Sequence, residues 1–197
     1  MALTPVAAGE VATIVTALEM LVPPPPAPVP PSSLRLEEWA RPDPARYRDL
    51  FRLVGTPWLW FSRLAMDEAR LLAIIHDPAV RVFAAVDAAG APAGMVELDF
   101  RQPGTCELSY FALAPGQVGR GHGRWLMAAA LARAWTAGIG RVWVHTCTLD
   151  HPRALPFYIA AGFTAYARTV ETFPDPRLAG LLPADAAPQL PLLASQR

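Results

Sequence analysis

Seven of the nine residues from Pro23 to Pro31 are proline. Proline fixes φ and carries no N–H, so this stretch is barred from helix and from a central strand. It runs as an extended polyproline spacer of about 28 Å, at ~3.1 Å per residue. The residues before it, VATIVTALEM at 11–20, are rich in β-branched side chains and predict a strand. Leu34, Leu36 and Trp39 begin a second strand just after it. The tract therefore reads as a stiff connector between two strands, and recognition of a partner is the alternative reading.

The chain has 197 residues, 53% hydrophobic and 17% charged, enough for one sizeable core and too little charge for a disordered protein. Seventeen basic residues balance seventeen acidic ones, which argues against a general nucleic-acid binder and against adsorption on anionic lipid. Every basic residue is arginine, so arginine abundance is a compositional habit and not by itself a phosphate signature. The apolar run from Val11 to Val22 is too short to span a bilayer, and no basic residue precedes Arg35, as a secretory signal would require. Cys106 and Cys147 give neither a disulfide framework nor metal-ligand spacing, and with no membrane segment they point to a reducing, cytoplasmic setting.

Downstream, the punctuation is dense. Asp43 and Pro44 form an N-cap and first-turn pair that opens a helix to about Val54. PWLWFSRL follows the break at Gly55 and Pro57, and a second helix runs from about Asp67 to His76. Val80–Asp87, Gly94–Arg101 and Cys106–Leu113, separated by turn residues, predict a three-stranded meander. The period then changes. GRGHG, residues 119–123, enters an alanine- and leucine-rich helix with its exit at Gly138. RVWVHTC predicts a strand, PRALPFYIAA a short helix ending at Gly162, and Phe163–Phe173 a last strand, followed by a tail rich in Pro, Ala and Leu.

Strand, glycine-rich turn and helix together aim backbone N–H groups and the positive end of a helix dipole at an anion, with Arg120 and Arg124 beside it. Tight packing of helix on strand would also explain the glycines. A mononucleotide P-loop needs a lysine, and the chain has none; a dinucleotide fingerprint needs GxGxxG, whereas Gly119, Gly121 and Gly123 are spaced by two.

With the next motif in place, the sequence resembles the GNAT superfamily of N-acetyltransferases. The acetyl-CoA motif of that family is a strand, a turn reading Gln/Arg-x-x-Gly-x-Gly/Ala, and a helix. Gly121 and Gly123 fill the glycine positions, while Val118 stands where Gln or Arg is usual, with Gln117 one place early. The following motif, Asn-x-x-Ala-x-x-x-Tyr-x-x-x-Gly-Phe, reads here HPRALPFYIAAGF: Ala154, Tyr158, Gly162 and Phe163 match, and His151 takes the Asn place. The resemblance covers residues 34–173. It implies an α/β (α+β) fold, a mixed, mostly antiparallel, splayed sheet of about six to seven strands with helices on both faces. Residues 1–33 are then an N-terminal strand and connector, 34–173 the acetyltransferase domain, and 174–197 a tail packed on it.

The resemblance further implies acetyl-CoA as cosubstrate, no metal, and direct acetyl transfer to a primary amine in a ternary complex. Cofactor contacts fall on Phe111, Ala112, Leu113, Val118, Gly119, Arg120, Gly121, His122, Gly123, Arg124, His151, Ala154 and Tyr158. The Phe111 N–H is placed to meet the acetyl oxygen and Leu113 the pantetheine arm, and Tyr158 returns a proton to the departing sulfur. An alkylammonium titrates near ~10.4, so a base is needed. Period-two alternation sets Glu107, Ser109, Phe111 and Leu113 on one face, making Glu107 the expected base, with Glu97 and Asp99 its rivals. His122 and His145 read as structural, and Cys147 as a small buried hydrophobe. Trp58, Trp60 and Phe61, with Glu97, are the expected acceptor contacts. Large aromatics with few carboxylates nearby suit a small amine with an apolar or aromatic body, unless they only seal the core. The departures at Val118 and His151 motivate an alternative, a non-catalytic acyl-CoA-binding sensor. The expected partners are acetyl-CoA and the amine, with no nucleic acid and no membrane, and a homodimer is an option left open.

Overall fold

The computed structural model describes residues 3–193; Met1, Ala2 and residues 194–197, the outer ends of the first and last segments read from the sequence, lie outside the described residues. Seven strands form one sheet: β1 (Glu10–Met20), β2 (Arg35–Glu38), β3 (Val80–Val86), β4 (Pro92–Asp99), β5 (Thr105–Leu113), β6 (Arg141–Cys147) and β7 (Thr164–Pro174), in the order β2-β3-β4-β5-β6-β1-β7. Every neighbouring pair is antiparallel except β5–β6, which is parallel. Helices α1 (Pro44–Gly55) and α2 (Glu68–Ile75) cover one face, and α3 (His122–Ala134) and α4 (Ala154–Ala160) the other. The mixed, mostly antiparallel architecture expected from the sequence is the one observed.

Local chemistry sets the helix starts. Asp43 accepts from the Arg46 N–H with Pro44 in the first turn, and Asp67 accepts from the Arg70 N–H. Between these helices a 3-10 turn at Thr56–Trp58 ends on Leu59 in the left-handed region, φ 56°, with its side chain 2% exposed against Val11 and Leu182. α3 ends at Ala134, four residues short of Gly138, because Trp135 leaves the helical conformation.

The strand order explains the prolines. β1 lies between β6 and β7, whereas β2 is the opposite edge, five strand spacings away, or about 24 Å. Residues 21–34 coiled as a helix would reach only ~21 Å, while the polyproline form spans about 43 Å. The pairing also puts the end of β1 beside the start of β6, and the start of β2 beside the end of β3, so the connector must cross the sheet diagonally. It lands on the α3 side: Leu34 is buried among Leu126 and Met127, and the Ser32 Oγ lies 2.8 Å from Nδ1 of His122, the first residue of α3.

One expectation is corrected. Val96 pairs with Phe111 and Glu97 with Tyr110, but Leu98 pairs with Leu108, so Ser109 is an extra residue in a β-bulge. The bulge reverses the alternation. Leu108, Phe111 and Leu113 pack on the α3 side, while Tyr110 and Ala112 pack with α1, and Glu107 faces that second side beside Asp99. Glu107 therefore does not share a face with Phe111 and Leu113.

The connection after α1 is pinned to the sheet by a buried charge cluster. The Arg63 guanidinium donates to Glu97 Oε1 at 2.6 Å, and the Tyr47 hydroxyl donates to Oε2 at 2.5 Å. Glu97 is wholly buried and Arg63 is 8% exposed. Removing one partner strands the other in an apolar setting. Arg63→Ala is expected to cost about 3–5 kcal/mol in urea unfolding, and Arg63→Ala/Glu97→Ala much less than the two single substitutions combined.

Candidate functional site

β5 and β6 stay paired for only three residues, Thr105↔Arg141, Cys106↔Val142 and Glu107↔Trp143, and then part. Through that opening runs a cavity of about 420 Å³ that reaches both faces of the sheet. Its donor end carries Phe111, Ala112, Leu113, Val118, Gly119, Gly123, Arg153, Ala154, Phe157 and Tyr158. Gly119 and Gly121 have φ of +82° and +87°, and a Cβ built on either meets nothing within 4 Å, so the turn borders open space that a glycine backbone leaves clear. No side chain caps α3, whose first-turn N–H groups are thus available to an anion. A pyrophosphate fits this turn by its chemistry. Arg120, Gly121, His122 and Arg124 lie in the same turn without lining the cavity; His122 is turned inward, 9% exposed, onto Ser32.

Tyr158 is 6% exposed within an edge-on cluster of Phe111, Phe157 and Phe163. Burial, followed by the nearby Asp150 carboxylate, pushes its hydroxyl far above the usual phenol range, so it keeps its proton at neutral pH. His151 Nδ1 accepts from the Arg153 N–H at 3.0 Å at the entry of α4.

The acceptor end brings together Trp58, Trp60, Phe61 and Ser62 with strands far away in sequence: Thr13 and Val15 from β1, His145 and Cys147 from β6, and Glu171 and Phe173 from β7. The aromatics differ in role. Trp60 packs on Phe51 and Tyr110 and donates to Asp150 Oδ1 at 3.1 Å, Phe61 lies tilted against Phe173 beside the tail, and Trp58 meets the His151 ring edge-on. Two carboxylates stand here where the local sequence around PWLWF suggests few. Asp150 is occupied by Trp60, the Thr146 hydroxyl and the Cys147 N–H. Glu171, on the exposed edge strand, has no hydrogen-bond or ion-pair partner among the described residues. Glu171 was not readable as a site residue from local pattern, since only the position of β1 between β6 and β7 brings β7 in, whereas Asp150 is next in sequence to His151 in the loop after β6.

The expected bases lie elsewhere. Glu97 is sealed in the Arg63 cluster, and Asp99 is held by Arg101, which keeps its carboxyl below the usual range despite burial. Glu107 sits in a neighbouring depression with Asp99, Arg101, Gln102, Thr105 and Trp143, outside the main cavity. Burial, and then the Asp99 charge, push its carboxyl up to about 7. Its Oε1 lies 3.6 Å from Nδ1 of His145, which does line the cavity. Among the described residues no group of three or more His, Cys, Asp or Glu is placed to hold a metal ion, and no helix is long and apolar enough to cross a membrane.

A family model described as Acetyltransferase (GNAT) family matches residues 34–163. No curated protein matches the sequence. Among solved structures, a GCN5-related N-acetyltransferase from Sphaerobacter thermophilus superposes with a TM-score of 0.58 at 17% identity, over 82% of this chain and 51% of its own, so this chain spans about half of that protein's length. An aminoglycoside acetyltransferase from an uncultured soil metagenomic sample gives 0.57 at 20% identity, over 71% and 93%. A chimera of the spermidine N-acetyltransferase from Vibrio cholerae and hSSAT gives 0.51 at 28% identity, over 69% and 84%.

The Glu107 environment sets a pH signature. Its carboxyl titrates at about 7 in the fold against an ordinary value of 4.5, so between these the folded chain holds the extra proton. Stability accordingly falls as pH rises through that window, by about 1–3 kcal/mol. Glu107→Gln is expected to flatten this fall in urea titrations across the window.

Proposed function

The chain belongs to the GNAT family of acetyltransferases, and from that membership we propose that it moves an acetyl group from acetyl-CoA to the nitrogen of a small primary amine with an apolar or aromatic body. The observation that carries this reading is the single cavity crossing the sheet where β5 leaves β6, with a glycine-rich turn at one end and aromatic side chains at the other. Both substrates then meet at the sheet opening, which supports direct transfer in a ternary complex without a covalent enzyme adduct.

In this reading the turn at residues 119–123 and the first N–H groups of α3 hold the pyrophosphate of CoA, and the free edge of β5 from Phe111 to Leu113 holds the pantetheine arm. The cosubstrate supplies a thioester, whose carbonyl carbon the amine attacks. The Phe111 N–H is assigned to the carbonyl oxygen as charge develops on it. Tyr158 is assigned to protonate the departing sulfur, a role supported by its protonated state in an apolar pocket at the donor end. Trp58 and Phe61 flank the amine's body and Glu171 is within the same cavity to meet an ammonium. One carboxylate free to bind suits a monoamine better than a polycation.

The test is thiol release from acetyl-CoA with a panel of primary amines, alongside calorimetry of CoA binding. Tyr158→Phe is expected to lower turnover about 10²- to 10⁴-fold while CoA affinity holds. CoA binding without release for any amine would favour the acyl-CoA sensor instead. For the acceptor, Trp58→Ala is expected to raise the amine KM about tenfold and to cost less stability than Trp60→Ala, because Trp58 lines the cavity outside the buried core clusters. Trp60→Ala is expected to destabilise the fold by about 3–5 kcal/mol through its contacts with Phe51 and Tyr110. An unchanged amine KM in the Trp58 variant would remove the aromatic body from the description.

A further inference from the structure

We propose that His145 is the base that takes the acceptor's proton, with Glu107 positioning its imidazole from the neighbouring depression. This deepens the acetyl-transfer reading and rests on it. The starting point is the residue inventory of the cavity. Its ionisable side chains near the acceptor end are Tyr110, His145, Cys147, Asp150, His151 and Glu171, of which Tyr110 is bonded to Ser62 and held protonated above the usual phenol range by burial. Asp150 is committed to three donors, and His151 accepts the Arg153 N–H. The Cys147 thiol is pushed up by burial, away from useful basicity. Glu171 belongs to the edge strand β7, separated from β6 by β1. His145 is on β6, two residues beyond Trp143, the last residue paired to β5, and nearer that pairing than Cys147 at the strand's end. It therefore stands at the apex of the opening, on the acceptor side, where the reacting carbonyl must lie if the pantetheine arm follows the free edge of β5.

The surroundings of His145 orient its ring. Nδ1 faces Glu107 Oε1 at 3.6 Å, just beyond hydrogen-bond range, as catalytic pairs commonly are before substrate closes the site. Above about pH 7, where Glu107 is ionised, Nδ1–H is aimed at its carboxylate and the Nε2 lone pair is left for the cavity. Trp143 flanks the ring, with centroids 6.1 Å apart, and Ala17 of β1 is opposite, leaving no competing charge in the adjoining pair position. The charged groups farther along the same face are paired: Asp99 with Arg101, and Glu19 with Arg141. Glu107 has no other side-chain partner among the described residues.

The proton balance is complete without any further reactant. An alkylammonium gives one proton to His145 Nε2, and its nitrogen lone pair then forms the C–N bond. The C–S bond breaks with its electron pair going to sulfur, which takes the Tyr158 proton. The second nitrogen proton is shed as the amide forms and reprotonates the tyrosine through solvent, and His145 releases the first to bulk water. The products are the amide, CoA thiol and one proton.

The experiment has an arm that needs no turnover. ¹⁵N NMR of the full chain without ligand at about pH 8.5, where Glu107 is ionised, is expected to show the His145 ring mainly in its Nδ1–H tautomer, and Glu107→Ala should shift it toward Nε2–H. With tyramine as the amine, His145→Ala should lower kcat about 10²- to 10⁴-fold, with CoA affinity within about twofold, and added imidazole should restore about tenfold. Glu107→Ala should lower kcat about tenfold and leave the amine KM unchanged. A ring tautomer indifferent to Glu107, or a His145→Ala enzyme keeping more than about a tenth of kcat, overturns the base while acetyl transfer stands. No thiol release from the wild-type protein with any amine, CoA binding intact, overturns acetyl transfer and the base with it.

Discussion

The site depends on a pairing that stops. A β-strand edge is satisfied by its neighbour's N–H and C=O groups, and β5 and β6 supply each other for only three residues before they separate. Beyond Glu107 and Trp143 each strand keeps one satisfied edge, toward β4 and β1 respectively, and turns an unpaired edge into the gap. Such edges need water or a ligand bearing its own amides. The opening is consequently a built requirement for an extended polar guest, and its walls stay apart because each belongs to a well-paired block of the sheet. β2 through β5 form one block and β6, β1 and β7 the other. α3 and the proline connector tie the two together over one face, with Ser32 seated on the first residue of α3.

Much of this was legible locally. Caps at Asp43 and Asp67, the break at Gly55 and Pro57, alternation in the strands and the two spaced motifs place nearly every element within about two residues. What local pattern cannot carry is strand order. Nothing in VATIVTALEM says that it inserts between β6 and β7, and so Thr13, Val15, Glu171 and Phe173 were invisible as site residues. The face of Glu107 failed for a different reason. CELSYFAL reads as simple alternation, and the one-residue bulge at Ser109 is created by pairing with β4, where Leu98 skips to Leu108 to keep both leucines buried. Burial of Leu108 overrode the local period and sent Glu107 to the other side.

Charge is used sparingly and inside. Burying Glu97 and Arg63 is costly, and replacing such a pair by apolar side chains is often neutral or stabilising. A specific geometric return therefore has to be sought in what the pair holds. Arg63 is on the same connection as Trp58, Trp60 and Phe61, and Glu97 is in the middle of β4. The bond from Arg63 to Glu97, with the Tyr47 hydroxyl of α1 donating to the second carboxylate oxygen, sets the height of the aromatic loop above the opening. Gly55 contributes to the same end: a Cβ there would lie 2.5 Å from the Trp60 Cβ, so only glycine lets the loop fold back that closely.

The two ends of the cavity are made of different material, and that difference has functional weight. The donor end is backbone: a glycine turn, helix N–H groups and a strand edge, none of which depends on the identity of Val118 or of the residue at 151 so long as the geometry is kept. The acceptor end is side chain, drawn from the α1–α2 connection, β1, β6 and β7, and each of those segments can change without disturbing the turn. Backbone recognition tolerates sequence drift and suits one constant cosubstrate, whereas side-chain recognition changes with every substitution and suits a variable acceptor. In this chain the variable end is lined by Trp58 edge-on to His151, a Glu171 with no ion-pair partner among the described residues, and an imidazole 3.6 Å from a carboxylate. In the proposed reaction, specificity and proton transfer fall on the same small set of side chains, and a substitution that retunes one is expected to disturb the other.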